Sequence, residues 1–437
     1  MARKEIGIGI AGIGTVGAAV ARLLMSNRER LAESAGASLA VRAVSGRDQS
    51  LPRSFDTSLV RWFDDPVALA NAPGVDMVVE LIGGAEGVAH DTVRAALNAK
   101  KPVVTANKAL IAAHGLELAA LAEQSNVSLA FEAAVAGGVP IIKTLREGLV
   151  GNHPRRVVGI LNGTCNYILT RMESDGLSFG ECLAAAQALG YAEADPGFDI
   201  DGHDSAHKLA ILASLAFGTR IAPEAVYVEG IRSITSADIK AAADLGYRIK
   251  LLGVARRTDS GIEQRVHPTM VPAKAAIAQV DGVLNAVSID GDLVRTLLLV
   301  GPGAGGEATA SAVLADIVDV ARGIITPPFG RPAKLMRPYE QAEMRAHEGG
   351  YYVRLAVNDR PGAFAAIATR MAEARISLES IVQRGRAGRE GAPIDEPQPV
   401  ILITYETTEA AIRQALEAIE RDGHIVGPPQ MIRIEKL

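Results

Sequence analysis

Short apolar segments alternate with amphipathic ones over residues 1–135 of the chain. The predicted strands lie at residues 5–11, 38–44, 76–81, 102–105 and 127–131. Helical spacing of apolar residues separates these strands, most clearly at 90–99 and 116–124. Strands that are apolar along their whole length and alternate with helices are typical of a parallel sheet covered by helices on both faces. The sequence therefore predicts an α/β fold with a doubly wound parallel sheet in this region.

The rest of the chain divides into two further regions. Residues 136–325 are less regular, with strand candidates at 155–161 and 248–255, and they predict an α+β domain. Residues 351–437 predict the order β-α-β-β-α-β of a ferredoxin-like domain. We expect residues 305–345 to return to the first domain and complete it.

Composition narrows the possible functions. The chain has 437 residues and a formal net charge of −5, and no cluster of Lys and Arg alternates with aromatic residues, so we expect no nucleic-acid partner. Cys165 and Cys182 are the only cysteines, which excludes a disulfide framework and a cysteine-based metal site. No apolar run reaches the length of a membrane-spanning helix. We therefore expect a cytoplasmic protein without a membrane partner.

A glycine-rich turn follows the first predicted strand. Gly12, Gly14 and Gly17 form the pattern G-x-G-x-x-G in GIGTVG, directly before a predicted helix. In this context the glycines let the backbone approach a pyrophosphate, and the helix N-terminus offers free N–H groups. The segment predicts dinucleotide binding in a Rossmann-like domain. The alternative is a purely structural glycine turn.

The residues after the second strand bear on the choice of cofactor. An acidic residue at this place commonly binds the ribose of NAD, but this chain has Ser45 and Arg47, with Asp48 beyond the position. A hydroxyl and a guanidinium suit the 2′-phosphate of NADP, so the sequence favours NADP over NAD. The alternative for Arg47 is a solvated arginine in a loop.

Two further strands end in polar residues at the edge where parallel sheets bind ligands. Lys108 closely follows the strand at 102–105 and could reach the nicotinamide or the substrate; the alternative is an ordinary exposed lysine at a helix start. Glu132 follows the strand at 127–131, and the small residues after it leave carbonyl groups that could hold a hard cation together with its carboxylate. The alternative is a packed crossover between domains.

An acid-rich segment leads into a very apolar predicted helix. Residues 190–208 contain Glu193, Asp199, Asp204 and Lys208, and an apolar run follows directly. Unpaired buried charge is costly, and Asp204 and Lys208 share a helix face because they are four residues apart. The segment therefore predicts the charged floor of a pocket, built on a rigid helix.

The same segment contains His203 and His207, at a spacing that resembles a zinc-binding helix. An aspartate stands where the zinc motif has a glutamate, and no third ligand is evident in the sequence. We interpret both histidines as packing or supporting residues rather than metal ligands.

Together these segments resemble the homoserine dehydrogenase family. The resemblance covers the N-terminal glycine pattern, TANK (105–108), EAAVAGGVPII (132–142), LNGTCNYIL (161–169) and GYAEADPGFDIDGHDSAHK (190–208). The last segment is the most specific, because its glycine, acidic and lysine positions all fall at the spacings of the family. The resemblance implies NAD(P)-dependent interconversion of L-aspartate 4-semialdehyde and L-homoserine in the biosynthesis of threonine, methionine and isoleucine.

The resemblance also implies roles for individual residues. Lys208 would be the acid–base lysine, and Lys108 would lie between cofactor and substrate. The substrate would be bound by Glu193, Asp204 and Asp199. A sodium ion would be held by Glu132 and the carbonyls of Val135, Gly137 and Val139. The cofactor would contact Gly12, Ile13, Gly14, Thr15, Val16, Gly17, Ser45, Arg47, Thr105, Lys108, Gly190 and Gly305. Residues 136–325 would form the catalytic and dimerisation domain of a homodimer or homotetramer.

The last region, residues 351–437, resembles an ACT domain, with DRPG at its first strand–helix turn. This implies feedback control by threonine through Asn358, Asp359 and Gly362; the alternative is a dimerisation module without a ligand. On the residues alone, two other functions stay open. One is another NAD(P)-dependent dehydrogenase of amino or hydroxy acids, and the other is a non-enzymatic nucleotide-sensing regulator.

Overall fold

The structure is a computed structural model that describes residues 4–342, 348–358, 360–383 and 397–436. Its strands are β1 (Glu5–Ala11), β2 (Ser38–Ser45), β3 (Arg61–Phe63), β4 (Met77–Glu80), β5 (Val103–Thr105), β6 (Leu129–Ala130), β7 (Pro154–Ile160), β8 (Tyr227–Val228), β9 (Tyr247–Thr258), β10 (Gly261–Pro272), β11 (Leu284–Gly291), β12 (Arg295–Pro302), β13 (Glu348–Val357), β14 (Leu378–Gln383), β15 (Gln398–Thr404), β16 (Thr407–Thr408) and β17 (Gln430–Ile434). Its α-helices are α1 (Thr15–Ser26), α2 (Arg28–Ala35), α3 (Pro66–Asn71), α4 (Val88–Asn98), α5 (Lys108–Ser125), α6 (Ile141–Lys143), α7 (Gly163–Asp175), α8 (Phe179–Ala188), α9 (Gly197–Ile200), α10 (His203–Phe217), α11 (Ser236–Asp244), α12 (Gly306–Ala321), α13 (Ala363–Glu373) and α14 (Glu409–Arg421).

The N-terminal sheet has six parallel strands in the order β3-β2-β1-β4-β5-β6. Its central strand β1 is buried along nearly its whole length, as expected for a strand with helices on both faces. Val313 and Ile317 of α12 share one apolar core with Ile8 of β1 and Val20 of α1. A helix from much later in the chain therefore completes this layer. The Rossmann-like parallel sheet predicted from the sequence is confirmed.

The other described strands form a second, mixed sheet. Its strand order is β12-β11-β7-β9-β10-β17-β13-β15-β14, with β8 paired to β10 and β16 to β13. Helix α10 packs against β7, β9 and β10 on one side and against α5 on the other. Its side chains are therefore buried almost all round, although no helix among the described residues is both long and apolar enough to cross a membrane. This packing fixes α10 between the two sheets.

The C-terminal strands extend the second sheet instead of forming a separate one. They follow the predicted order of elements, with the two-residue strand β16 added, but β17 pairs in parallel with β10, where Arg433 lies opposite Thr269. The buried Arg433 guanidinium bonds Glu409 at 2.6 and 2.9 Å and Glu229 at 3.1 Å. Backbone pairing and buried ion pairs therefore join this region to the strands before it.

Candidate active site

The turn between β1 and α1 is packed so closely that two of its glycines cannot carry a side chain. Gly12 has a φ of +94°, and a Cβ atom there would lie 2.5 Å from the Leu81 carbonyl oxygen. A Cβ atom on Gly17 would lie 2.0 Å from the Gly12 carbonyl oxygen. Ile13 and Val16 pack into the core beneath the turn. The N-terminus of α1 is thereby held at the carboxyl edge of the sheet.

Gly14 differs from these glycines, because its missing side chain leaves open space. Apart from its chain neighbours, no described atom lies within 4 Å of the position that a Cβ would take, and no described side chain caps the start of α1. Gly305 lies beside this turn, since a Cβ atom on Gly306 would be 3.3 Å from Thr15. Free N–H groups beside open space suit an anionic pyrophosphate, so these residues fit a dinucleotide.

The end of β2 lies against the same turn. Ser45 is buried, and its carbonyl accepts the Gly12 N–H at 2.9 Å. Arg47 is exposed in the loop that follows. Arg53 supports this loop by donating to the Leu51 carbonyl at 2.7 Å. The structure therefore brings Ser45 to the glycine turn between β1 and α1 and leaves the Arg47 side chain, two residues later, in solvent.

A buried carboxylate that the sequence analysis missed organises the segment before Lys108. Glu80, at the end of β4, accepts the Thr105 hydroxyl at 2.6 Å and two backbone N–H groups, and burial raises its pKa. Asn107 begins α5 as its cap and donates to the Gly84 carbonyl at 2.7 Å. The Thr105 hydroxyl thus supports the loop from inside the protein. An acidic residue ending an apolar strand was the available signal.

Three charged side chains meet where α5 packs against α10. Lys108, the first residue of α5, forms an ion pair with Asp204, with 2.6 Å between Nζ and Oδ1. Lys208 donates to Asp204 Oδ2 and to the Leu161 carbonyl, both at 2.8 Å. Asp204 and Lys208 are buried, whereas the Lys108 side chain is 35% exposed. One carboxylate therefore holds two lysines, and one of these lysines reaches solvent.

The contacts among Asp204, Lys108 and Lys208 shift the pKa values of Asp204 and Lys208. Burial alone raises the pKa of Asp204, but the charges of Lys208 and Lys108 outweigh it and hold that pKa well below its usual range. Burial lowers the pKa of Lys208, although the attraction of Asp204 opposes the shift. Asp204 is therefore ionised at neutral pH, and Lys208 releases its proton more readily than a lysine in water does. Such an amine can both give and accept a proton.

Asn162 links the lysine pair to the acid-rich segment. Its side-chain nitrogen donates to Asp204 and Asp199, in both cases at 2.9 Å, while its oxygen caps α7 by accepting the Cys165 N–H. Burial and the charge of Asp204 raise the pKa of Asp199. The sequence analysis included Asn162 in a motif but gave it no role, since a helix cap and a site residue have the same sequence signal.

The first residues of the acid-rich segment are less buried than Asp204 and Lys208. Gly190 and Glu193 are exposed, and the Glu193 carbonyl accepts the Gln187 side chain at 3.0 Å. Asp199 is half-buried a few residues later. The structure therefore brings Asp199, Asp204 and Lys208 together and leaves the Glu193 side chain in solvent on the same segment.

Glu132 is buried at the junction between β6 and α6. Its two carboxylate oxygens accept the N–H groups of Ile142 and Lys143, both at 2.8 Å. Burial and the nearby charge of Asp316 raise the pKa of Glu132 to about 7. The carbonyls expected beside it belong to three further buried residues, Val135, Gly137 and Val139. Both carboxylate oxygens of Glu132 and the Val139 carbonyl, which accepts the Ile141 N–H at 2.8 Å, are therefore already hydrogen-bonded.

The predicted effector residues lie at the first turn of the C-terminal region. The Asn358 N–H donates to the His424 carbonyl at 2.8 Å. Gly362 has a φ of +92° and precedes α13, whose first N–H groups have no helical partner. Asp359 lies outside the described residues.

Two family models match most of the chain. A family model described as "Homoserine dehydrogenase" matches residues 140–318, and one described as "Homoserine dehydrogenase, NAD binding domain" matches residues 12–132. The chain is 46% identical to a homoserine dehydrogenase from Pseudomonas aeruginosa, over 99% of this chain and 100% of that protein. It is 43% identical to one from Neisseria gonorrhoeae, over 99% of each.

Solved structures lead to the same family. A crystal structure of a homoserine dehydrogenase from Thiobacillus denitrificans superposes with a TM-score of 0.91 at 41% identity and covers 100% of this chain and 99% of that one. A hyperthermophilic archaeal homoserine dehydrogenase in complex with NADPH superposes with a TM-score of 0.63 at 29% identity, covering 74% of this chain and 99% of that one. Because its match with the Pseudomonas enzyme spans nearly the whole length of both proteins, the chain belongs to the homoserine dehydrogenase family.

Proposed function

We propose that Lys208 is the acid–base group of the homoserine dehydrogenase reaction and that Lys108 assists it. The observation that carries this proposal is the single buried carboxylate, Asp204, shared by the two lysines at 2.6 and 2.8 Å. Lys108 begins α5, the helix that follows β5 of the parallel sheet, and Lys208 comes from α10, which packs against the second sheet. A substrate bound there would lie close to both amines.

When bound, the nicotinamide cofactor exchanges hydride with the carbon that bears the reacting oxygen. During reduction of the aldehyde, negative charge grows on that oxygen, and Lys208 donates a proton to it. During oxidation, neutral Lys208 takes the proton of the hydroxyl group. Lys108 adds a second positive charge near this oxygen. The fixed position of Asp204 keeps both amines oriented without any reorganisation during the reaction.

The substrate ammonium requires carboxylates that are free to accept it. Asp204 already bonds two lysines and Asn162, so we assign it mainly to holding the lysines. Glu193 and Asp199 are then the groups that bind the ammonium of homoserine. The sequence analysis expected Asp204 to bind the substrate directly. We instead propose that Asp204 positions the two lysines, because each of its oxygens already contacts one of them.

The pH dependence of homoserine oxidation tests the role of Lys208. Because burial lowers the pKa of Lys208, the oxidation rate should rise with pH and level off below about 10.4, the value for free lysine. The rate of aldehyde reduction should fall over the same range, since that direction needs the protonated amine. Both rates are followed through the absorbance of the reduced nicotinamide with saturating substrates. An oxidation rate that stays constant from neutral to strongly alkaline pH, with chemistry rate-limiting, would contradict the assignment.

We also propose that NADP is the preferred cofactor. Arg47 is exposed next to the nucleotide turn, and the archaeal relative that superposes with this chain is in complex with NADPH. Replacing Arg47 with alanine removes a charged hydrogen bond to the 2′-phosphate, so kcat/KM for NADPH should fall by about 10- to 100-fold. The value for NADH should change little, because NADH lacks this phosphate. Equal losses with both cofactors would place Arg47 outside the 2′-phosphate site.

The junction around Glu132 supports a sodium site. Glu132 and Asp316 are buried carboxylates close enough to raise the pKa of Glu132, and Lys143 contacts Asp316 at 3.1 Å. A monovalent cation bound by Glu132 and the carbonyls of Val135, Gly137 and Val139 would reduce the repulsion between the acids. A thermal unfolding midpoint that does not change when sodium replaces a bulky organic cation would argue against this site.

For the domains, we propose the boundaries 1–135 with 305–345, 136–325, and 351–437, the last being an ACT domain. The order of its elements and the turn before α13 support this assignment. The continuous sheet affects how the domain can be tested. A chain that ends near residue 345 would lose β17, expose the edge of β10 and leave Arg265, which is 1% exposed, without Glu435. Substitution is therefore a better test than truncation.

Threonine should inhibit the full-length enzyme through the turn before α13. Replacing Asn358 with alanine should raise the threonine concentration for half-inhibition by about tenfold, the effect of losing one hydrogen bond of 1–1.5 kcal/mol. Uninhibited activity should be unchanged, because Asn358 contacts the C-terminal region and not the lysine pair. Steady-state assays with and without threonine provide the measurement. An enzyme that ignores millimolar threonine would instead support a dimerisation role for this region.

A further inference from the structure

Two histidines and two glutamates meet where α4 packs against α5. His90 of α4 and His114 of α5 face each other, with their ring centres 4.4 Å apart. Glu117 lies one turn after His114, and Glu86 precedes α4 in the loop after β4. One ring nitrogen of each histidine and one carboxylate oxygen of Glu117 lie within 4.8 Å of one another. None of these side chains takes part in the mechanism above.

His90 carries a buried polar atom that lacks a partner. Its side chain is 12% exposed, and its buried Nε2 forms no hydrogen bond with any of the described residues. Its Nδ1 lies 3.8 Å from Asp91 Oδ1, which is too far for a hydrogen bond. A buried nitrogen without a partner costs free energy. A bound cation would provide the missing interaction.

His114 lies between two carboxylates in the manner of a metal ligand. Its Nε2 is 2.7 Å from Glu86 Oε1, and its Nδ1 is 3.7 Å from Glu117 Oε2. A metal-bound histidine usually donates its other ring N–H to a carboxylate, which fixes the tautomer. With Glu86 in that position, the Nδ1 lone pair is free to bind an ion on the side of Glu117. Arg94 Nε lies 3.7 Å from the other oxygen of Glu117, Oε1.

The spacing also suits a metal ion. Two ligands of tetrahedral zinc lie roughly 3.3 Å apart when the bonds are about 2.0–2.1 Å long. The 3.7 Å between His114 and Glu117 is close to this value. Glu117 is 53% exposed, so its side chain can rotate to shorten the remaining separations.

We propose that His90, His114 and Glu117 form a binding site for a divalent transition-metal ion, with zinc the best match and Glu86 orienting His114. Two imidazoles and one carboxylate are an established zinc ligand set that leaves a fourth position for water. The ion would join α4, α5 and the loop after β4. Because α5 begins with Lys108, the metal would stabilise the segment that presents this lysine.

Metal titration of the full chain, after treatment with a chelator, tests the proposal. Co²⁺ alone should give the visible absorption of a four-coordinate complex with one ion per chain. Zn²⁺ at about 100 times its Kd should raise the unfolding midpoint by several degrees. Replacing the partly exposed Glu117 with glutamine, or His114 with glutamine, should abolish both effects. Glu86→Gln should weaken binding by about 10- to 100-fold.

A matched control separates this site from adventitious binding elsewhere. His203 and His207 lie one turn apart on α10 and could hold an ion weakly. His203→Gln should leave the Co²⁺ spectrum and the Zn²⁺ stabilisation unchanged. The proposal is overturned if His203→Gln removes them while His114→Gln keeps them, or if the wild-type chain binds neither metal.

Discussion

Replacing Lys208 with alanine should lower kcat for homoserine oxidation by about 10²–10⁴-fold, the usual contribution of a general acid–base group. The reason is that Lys208 is the buried amine of the lysine pair, and burial lowers its pKa, whereas the Lys108 side chain is 35% exposed. Asp204 keeps one cation in the variant, because Lys108 contacts its other oxygen at 2.6 Å. The site should therefore stay folded, and nicotinamide affinity, measured by fluorescence titration, should be close to wild type. Near-normal turnover would remove Lys208 from the mechanism.

Lys250 provides a matched control for the loss of a buried lysine. It lies on β9, is 1% exposed, and bonds the Val280 carbonyl at 2.7 Å and Asp281 at 3.0 Å. Lys250→Met should lower the free energy of unfolding, but it should leave kcat of the folded enzyme near wild type. A comparable loss of kcat in both variants would show that the effect of Lys208 comes from misfolding and not from proton transfer.

Local sequence signals predicted the parts of the site that lie within a few residues of one another. Gly12–Gly17 predicted a tight turn between a strand and a helix, which the structure shows between β1 and α1. The spacing of Asp204 and Lys208 placed both on one face of α10. The position of Lys108 after β5 placed it at the ligand edge of the sheet. In each case the physical rule acts over one turn or one strand end, so the sequence alone contains it.

Contacts between distant segments could not be predicted in this way. The ion pair between Lys108 and Asp204 depends on how α5 packs against α10, and no local spacing encodes that packing. Glu80 had a weak signal, but its partner Thr105 comes from a neighbouring strand. The pairing of β17 with β10 joins segments that are far apart in the chain. The sequence therefore predicted a ferredoxin-like domain over 351–437 without indicating that its strands continue the second sheet.

The strands β11 and β12 show the same limitation for the fold. β12 is partly exposed along its length, so it lacks the continuous apolar character that identified the parallel strands. β11 has β7 on one side and β12 on the other, and β7 belongs to a much earlier part of the chain. The hydrophobic pattern of such a strand identifies its buried face only when the strand beside it is known.

Replacing Asp204 with asparagine should have the broadest effect on the enzyme, because this carboxylate holds both lysines. kcat/KM for homoserine should fall by about 10²–10³-fold, as expected when a preoriented charged group is lost from an active site. The free energy of unfolding at neutral pH should fall by roughly 3–5 kcal/mol, since the buried Lys208 loses its counterion. Urea unfolding and steady-state kinetics measure the two effects separately.

The pH dependence of stability distinguishes this explanation from a general packing defect. The pKa of Asp204 is lowered in the folded protein, so its stabilisation is present above the unfolded value of about 3.9 and is lost as the pH falls towards the folded value. The gap in stability between wild type and variant should therefore narrow on acidification. The difference in stability should also narrow at alkaline pH. There Lys208 of the variant releases its proton, so the folded variant no longer contains a buried charge without a counterion.

Asp201→Asn is the matched control for this series. Asp201 lies three residues earlier and pairs with Arg232 at the surface, with 2.9 Å between its Oδ2 and the guanidinium. An exposed pair contributes at most about 1 kcal/mol, so Asp201→Asn should change stability little and leave the pH profile of oxidation in place. If Asp204→Asn behaved like Asp201→Asn in both measurements, Asp204 would not be the counterion of the lysine pair, and the proposed acid–base role of Lys208 would lose its physical basis.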